Sequence, residues 1–434
     1  MNKMNDTNFE LAKSLFLKGL DFFHKDMFIE AENAFRKSLS IIPDRDSTLT
    51  NLSVTLFKLK KYSESVEISK HLLNINDSNY EAWLNLGNAL QELKQYDQAL
   101  ASYDKAISLK PNYADAYWNK SLVQLLTSDF QGGWTNYEYR WLRKEADKKP
   151  HQQFPSLTSL NDLKLSTVLV WCEQGLGDTI QFSRYVTLLA NLGANVVFDV
   201  QGPLKSLLKQ SFPGIRIITR DEAVSGIDFQ VPLMSLPLAF KTELQTIPSS
   251  ASYLKSDPLK VENWKTKLVP GDKLKVGLVW NGGFRPNQPE LWGVNERRNI
   301  PIKIISNGLR EVDVVFYSLQ KGDPAESEIK NHELDYFPKR NFVNMSDELL
   351  DFADTAALIE NLDLVISVDT STAHLSAALG KPTWLLNRND TCWRWLRDRQ
   401  DSPWYPSVKI FRQPEVGDWK SVIQDVIADL KLVA

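Results

Sequence analysis

Apolar, small and aromatic side chains recur with a period of 34 residues over the first third of the chain. Gly19, Ser53, Gly87 and Ser121 share one phase of that period, Ala31, Ser65, Ala99 and Gly133 a second, and Phe28, Tyr62, Tyr96 and Phe130 a third. A unit of this length holds two helices and a turn. Small residues at matched positions let paired helices approach, and an aromatic at the turn fills the gap beside them. The gapless run predicts about four helix pairs over residues 12–147 of a domain spanning 1–147. A further phase is polar: Asn51, Asn85 and Asn119 stand six places into successive units, and Leu17 breaks the series in the first. In a stacked solenoid these carboxamides form a column near the concave face. There each can both donate to and accept from an extended peptide backbone, whatever its sequence. The alternative is that they satisfy local backbone groups between helices.

Beyond residue 147 the pattern changes. Residues 148–164 read as a linker, opening on Lys148-Lys149-Pro150. Short apolar runs then alternate with helical stretches, which predicts parallel strands covered by helices on both faces. Strands are expected at 167–171, 195–200, 214–219 and 229–233, with a long helix at 178–191. Residues 246–271 are richer in Pro, Ser and Lys and read as a connection. A second series follows, with strands at 275–280, 312–318, 364–368 and 383–386 and helices at 301–309, 352–361 and 372–379. The expected fold class is thus α plus α/β: a helical solenoid, then two Rossmann-like domains at 165–260 and 261–434. Such a pair binds its ligand at the carboxyl ends of the strands.

Composition narrows the function classes. The chain has 434 residues, enough for about three folded units at roughly 150 residues each. Its 51 basic and 54 acidic residues leave a formal charge of −3, so nothing draws it toward nucleic acid. Two cysteines, Cys172 and Cys392, make no disulfide framework and suit a reducing compartment. The first residues, MNKMNDTNFELAK, lack the apolar core of a secretory signal, and no run approaches the ~18 apolar residues of a membrane helix. A cytoplasmic protein with no stable membrane insertion is expected.

Three turns carry candidate chemistry. After the first strand, Glu173-Gln174-Gly175-Leu176-Gly177-Asp178 lets the backbone turn tightly and aims helix N–H groups into the cleft. Asp178 reads either as a helix cap or as a carboxylate at the cleft mouth, where a general base sits. In the second series, Asp369-Thr370-Ser371-Thr372-Ala373-His374 ends a strand and offers three hydroxyls and several N–H groups to one anion, which suits a diphosphate. The same hydroxyls are also favoured caps without any ligand. Asn281-Gly282-Gly283 makes another glycine turn, followed in one loop by Arg285, Arg297 and Arg298, whose guanidinium forks match phosphate oxygens. Lys321, after the strand ending near Ser318, adds a further positive group. Residues 390–412 are rich in Trp and Arg, including Trp393, Arg394, Trp395, Arg397, Trp404 and Tyr405; they either lie over a base or sugar or form a packing lid. His374 reads as a packed or phosphate-side residue. No histidine pair has zinc spacing, and no metal or other cofactor is expected.

The G-L-G-D turn at Gly175–Asp178 and the D-T-S-T-A-H-L stretch from Asp369, continuing into Gly380-Lys381-Pro382, resemble the GT-B glycosyltransferases related to lipopolysaccharide heptosyltransferases. With the repeats, which resemble tetratricopeptide repeats, the chain is similar to bacterial repeat-containing glycosyltransferases, including ones implicated in O-glycosylation of proteins such as flagellin. Its architecture and asparagine column are also similar to those of the O-GlcNAc transferases. The resemblance implies an inverting, metal-independent transfer from a nucleotide-diphosphate sugar, with the first Rossmann half on the acceptor side and the second on the donor side. It makes Asp178 the catalytic base. It makes Thr370, Ser371 and Thr372 the loop that holds the donor diphosphate, and Arg297 or Arg298 the cationic position that assists it; beside these, Gly175, Gly177, Asn281, Lys321, Asp369 and His374 are expected to bind the donor, and Asn51, Asn85 and Asn119 the acceptor. Heptosyltransferases carry glycine soon after their D-T where this chain has Ser371. A glycan or lipid-linked acceptor, or a nucleotide-binding scaffold without turnover, are the alternatives. Repeat arrays of this kind also self-associate, so a homodimer is among the expected partners.

Overall fold

The 34-residue period of the sequence is also the period of the backbone. In a computed structural model, the chain is described over residues 2–434 apart from 145, 147, 162, 284–291 and 339–340. It forms two compact units, Met1–Lys149 and Pro150–Ala434.

In the first unit, α1 (Asn2–His24) pairs with α2 (Phe28–Ile41), and α3 (Asp46–Lys58) with α4 (Tyr62–Ile75). Likewise α5 (Tyr80–Glu92) pairs with α6 (Tyr96–Leu109), and α7 (Ala114–Leu126) with α8 (Phe130–Tyr137). Phe28, Tyr62, Tyr96 and Phe130 each open the second helix of a pair. Two residues earlier, Asp26, Lys60, Lys94 and Ser128 take left-handed backbone at φ 56°, 60°, 60° and 70°. The reason is common to all four turns. The N–H groups of Met27, Lys61, Gln95 and Asp129 bond the carbonyls of Phe22, Leu56, Leu90 and Gln124 at 2.8–3.0 Å, which satisfies carbonyls the ending helix would otherwise leave open. The small-residue phase marks close helix crossings: a Cβ on Gly19 or Gly87 would stand 2.5 Å from the ring of Phe35 or Tyr103.

The second unit holds two parallel sheets. The first is built from β1 (Thr167–Trp171), β2 (Asn195–Val200), β3 (Arg216–Thr219) and β4 (Phe229–Pro232), in the order β3-β2-β1-β4. The predicted helix at 178–191 is two helices, α9 (Leu176–Phe182) and α10 (Arg184–Asn191), meeting at the buried Ser183. The helices α11 (Lys205–Ser211) and α12 (Leu236–Ala239) complete this half, and α13 (Pro258–Lys265) lies in the stretch read as a mere connection. Residues 155–157, expected within the linker, hydrogen-bond along the free edge of β4 through Gln230.

The second sheet comprises β5 (Lys275–Val279), β6 (Val315–Ser318), β7 (Phe342–Asn344), β8 (Leu364–Val368), β9 (Thr383–Asn387) and β10 (Val408–Arg412), in the order β10-β9-β8-β5-β6-β7. Its helices are α14 (Trp292–Arg298), α15 (Ile302–Leu309), α16 (Ala325–Tyr336), α17 (Phe352–Glu360), α18 (Ser371–Ala378) and α19 (Trp419–Val433). The strands β7 and β10 were not legible: the first has three residues and the second is embedded in the Trp- and Arg-rich stretch. Arg297 and Arg298, expected in a loop, occupy the last turn of α14, where cations suit the helix dipole. Every residue of β8 is buried, as a central parallel strand requires.

Candidate functional site

Strand order locates the site before any side chain is considered. In each sheet the chain runs outward in both directions from one central strand, so that the connections after neighbouring strands leave on opposite faces and open a crevice at their carboxyl ends. In the first sheet the switch lies between β1 and β4, and in the second between β5 and β8. The loops leaving β1, β5 and β8 are the three turns singled out in the sequence. They meet in one cavity of about 500 Å³, lined by the turn from Glu173 to Asp178, by Gly282 and Gly283, by Asp369, Thr370, Ser371 and His374, and by side chains from α14 and the segment after β9.

Glycine is required where the two halves touch. A Cβ on Gly177 would stand 2.9 Å from His374 Cδ2 and 3.4 Å from Ser371 Cα, so the start of α9 lies directly against that of α18. A Cβ on Gly282 would run into the Arg298 guanidinium. Asp178 performs the capping role with one oxygen, accepting the Gly175 N–H at 2.9 Å. Its other oxygen accepts from Arg394, which arrives from the second half. The side chain is thus at once a cap and a carboxylate on the cavity wall.

Among the described residues three guanidiniums line the cavity: Arg298, Arg388 and Arg394. Arg298 donates to the Asp369 carbonyl at 2.8 Å and to the Asn295 side chain. Arg388 lies 3.2 Å from Asp390. Burial works against charge on Asp369, but His374, Arg298, the Trp395 indole and Arg388 together hold its carboxyl below the usual range. Burial also dominates at His374 and, over the pull of Asp369, lowers the imidazole to about 4. His374 is accordingly neutral at pH 7. The ring is fixed by the Tyr405 hydroxyl at 2.9 Å and by stacking on Trp395 at 5.0 Å. It is both packed and exposed to the cavity wall.

Of the predicted site residues, the fold brings Gly175, Gly177, Asp178, Arg298, Asp369, Thr370, Ser371 and His374 to this cavity. Four other predicted donor-binding residues stand outside its lining. Asn281 exchanges backbone hydrogen bonds with the Gln320 side chain. Arg297 pairs with Asp390 at 2.8 Å, and Lys321 bonds the Ser346 carbonyl at 2.7 Å. Thr372 is buried on α18. Arg285 lies outside the described residues. In the array, Asn51 donates to the Ser47 carbonyl at 2.7 Å, Asn85 to Ser53 Oγ at 3.0 Å and Asn119 to Asn88 at 2.8 Å.

Sequence reasoning missed Arg388 and did not place Arg394 in the site. Both follow β9, and the rule that ligands gather at strand ends would have nominated that loop as well. The rest of the Trp-rich stretch is packing rather than a platform for a base. Trp395 and Trp404 are 1% and 0% exposed, and Trp404 meets Phe182 edge to face at 5.4 Å. Arg184, buried on α10, donates to the Trp404 carbonyl at 2.7 Å and the Tyr253 hydroxyl at 3.1 Å, fastening the two halves. Cys172, just after β1, is kept protonated, its thiol pushed up to about 11 by burial and by Asp199. Among the described residues no group of three or more His, Cys, Asp or Glu side chains is arranged to hold a metal ion, and no helix is long and apolar enough to cross a membrane.

Comparison with known proteins adds two family matches: residues 80–113 match the tetratricopeptide repeat, and residues 310–422 match glycosyltransferase family 9 (heptosyltransferase). Protein FlbA of Caulobacter vibrioides is 25% identical across 90% of this chain and 73% of its own length. Protein bimA of Emericella nidulans is 28% identical over 22% of this chain and 12% of its own. Among solved structures, the chain is similar to the first TPR of Spaghetti (RPAP3) bound to an HSP90 peptide, at 25% identity and a TM-score of 0.27 over 28% of this chain and 96% of that one. YrrB, a TPR protein with an unusual peptide-binding site, is 20% identical with a TM-score of 0.28 over 30% of this chain and 66% of that one.

Proposed function

We propose that this chain, a glycosyltransferase with tetratricopeptide repeats and a family 9 region, moves a sugar from a nucleotide-diphosphate donor to a Ser or Thr hydroxyl of a protein acceptor of the flagellin kind. The observation that carries the reading is the meeting, in one cavity, of Asp178, the hydroxyl-bearing start of α18 and three guanidiniums. The two Rossmann-like halves take the GT-B arrangement in this reading, with the donor on the second half.

The chemistry follows from those groups. The acceptor oxygen attacks the anomeric carbon from the face opposite the diphosphate, so configuration inverts. As the new C–O bond forms, the acceptor proton passes to Asp178. The bond from the anomeric carbon to the phosphate oxygen breaks, and its electron pair stays on the nucleotide diphosphate. Negative charge grows on that leaving group, where the N–H and hydroxyl groups of Thr370 and Ser371 and the guanidiniums of Arg298 and Arg388 stabilise it more in the transition state than in the ground state. Removing one such donor costs roughly 3 kcal/mol of barrier in comparable sites. The repeat unit binds the extended acceptor, with Asn51, Asn85 and Asn119 facing its backbone.

Thermal unfolding against UDP, GDP, ADP and CMP, with EDTA present, tests the donor half of this reading. A nucleotide at 100 times its Kd stabilises the folded state by about 2.7 kcal/mol. One clear responder is expected. A folded protein that answers to none of the diphosphates overturns the transferase reading in favour of a scaffold.

A further inference from the structure

Arg394, a cation of the cavity, has as its carboxylate partner the candidate base. Its guanidinium reaches across from the second half to Asp178 and lies 3.5 Å from Gln174 Oε1 and 3.2 Å from Cys392 Sγ, with its face over the Trp393 ring at 4.2 Å. The pair is largely shielded from water, the side chains of Arg394 and Asp178 being 11% and 19% exposed, so solvent screens it little. Asp178 follows Gly177, which packs on Ser371 and His374, and His374 feels the charges of both Arg394 and Asp178. The pair thus borders the start of α18, where a diphosphate would bind.

A static pair would block the base: the guanidinium occupies the oxygen that must receive the acceptor proton. A diphosphate beside it presents more negative charge than one carboxylate and two oxygens that match the guanidinium fork. We propose that Arg394 is shared: it covers Asp178 until a nucleotide diphosphate draws the guanidinium to its phosphates, so that donor binding uncovers the base. Arg394 is then a donor-binding residue that also couples the two substrates. The inference rests on the transferase reading, with Asp178 as base, and supplies an order to it, donor before acceptor.

A double-mutant cycle on the full chain tests the sharing, with calorimetric Kd values for UDP, GDP, ADP and CDP. On the native background, Asp178→Asn frees the guanidinium and tightens binding of the responding diphosphate at least about fivefold, the lower end of ordinary couplings between sites. Arg394→Ala weakens it, and Arg394→Lys, which keeps the charge but not the fork, falls between them. Under sharing, the gain from Asp178→Asn shrinks by more than half on the Arg394→Ala background. An equal gain on both backgrounds means that Arg394 stays on Asp178 and only long-range repulsion is relieved, which overturns the inference and leaves the transferase reading standing. Absence of diphosphate binding by the native protein overturns the reading, and the inference with it. Where Arg394→Ala does not fold, the same comparison on the Arg394→Lys background decides, since lysine loses the bidentate match.

Discussion

One oxygen of Asp178 accepts the Gly175 N–H and the other accepts from Arg394, so an amide in its place can keep the cap while losing the ion pair and the proposed base. Asp178→Asn is therefore expected to fold normally and to lower sugar transfer by about 10²–10⁴-fold, read as release of nucleotide diphosphate in the presence of acceptor. Unchanged turnover would remove Asp178 from the mechanism. His374 gives a second residue-level test. Its pKa falls from an ordinary 6.5 to about 4 on folding, because burial disfavours the charged ring. Between those values the unfolded chain binds more protons than the folded one, so stability is present above pH 6.5 and drains away as the pH drops toward 4. Replacement by Asn, which does not titrate there, should flatten the unfolding midpoint across that window relative to the native protein. An unaltered slope would show that other groups cause it. The roles of Gly177 and Gly282 come from neighbours distant in sequence. The turn they make is legible from the glycines, but the crowding by His374 and Arg298 is not.

At the scale of elements, the repeat helices were readable because each contact that defines them lies within one period of the chain. The left-handed turn residue, the aromatic that follows it and the small residue at the crossing all repeat in register. Gly87→Val tests the crossing. The added side chain begins 2.5 Å from a fully buried Tyr103 ring whose hydroxyl is tied to Asn88 and Gln91. Overpacking of this kind costs about 1–3 kcal/mol, which outweighs the ~1 kcal/mol that removing a helical glycine returns. Thermal unfolding of the full chain should show the repeat unit destabilised, and an unchanged or raised midpoint would mean that the helices part without cost. The strands β7 and β10 and the helix α14 escaped the pattern for a different reason. All are short or interrupt a composition that argues for something else, and β7 and β10 are held by pairing with β6 and β9.

For the whole molecule, the asparagine column separates the acceptor classes. Asn85 and Asn119 bond within the array, and Asn51 bonds its own helix, so each Asn→Ala change costs about 0.5–1.5 kcal/mol of stability through a lost hydrogen bond. If the column also grips an acceptor backbone, the triple Ala variant raises the KM for a protein acceptor several-fold and leaves the Kd for the nucleotide unchanged. An acceptor KM that does not move points to the alternative glycan or lipid-linked acceptor, with the asparagines serving the solenoid alone. The cavity depends on the union of the two halves, which Arg184, Tyr253 and Trp404 hold together through bonds spanning up to 220 residues.

The periodic repeats, the two βα series and the three turns that end in glycines or hydroxyls were decided locally. Hydrophobic period, cap residues and backbone freedom act over a few neighbours, and sequence states them directly. Which of the arginines face the cavity was decided by tertiary structure. Arg297 and Arg298 are adjacent in the chain, yet one turns to Asp390 and the other to Asp369, because successive helical residues point about 100° apart. Arg388 and Arg394 enter the site because β9 lies beside β8 in the sheet, a neighbour relation set by strand order rather than by any motif. Asp178 could be named from its place after a glycine turn. That it meets an arginine more than 200 residues away follows only from the packing of one half on the other.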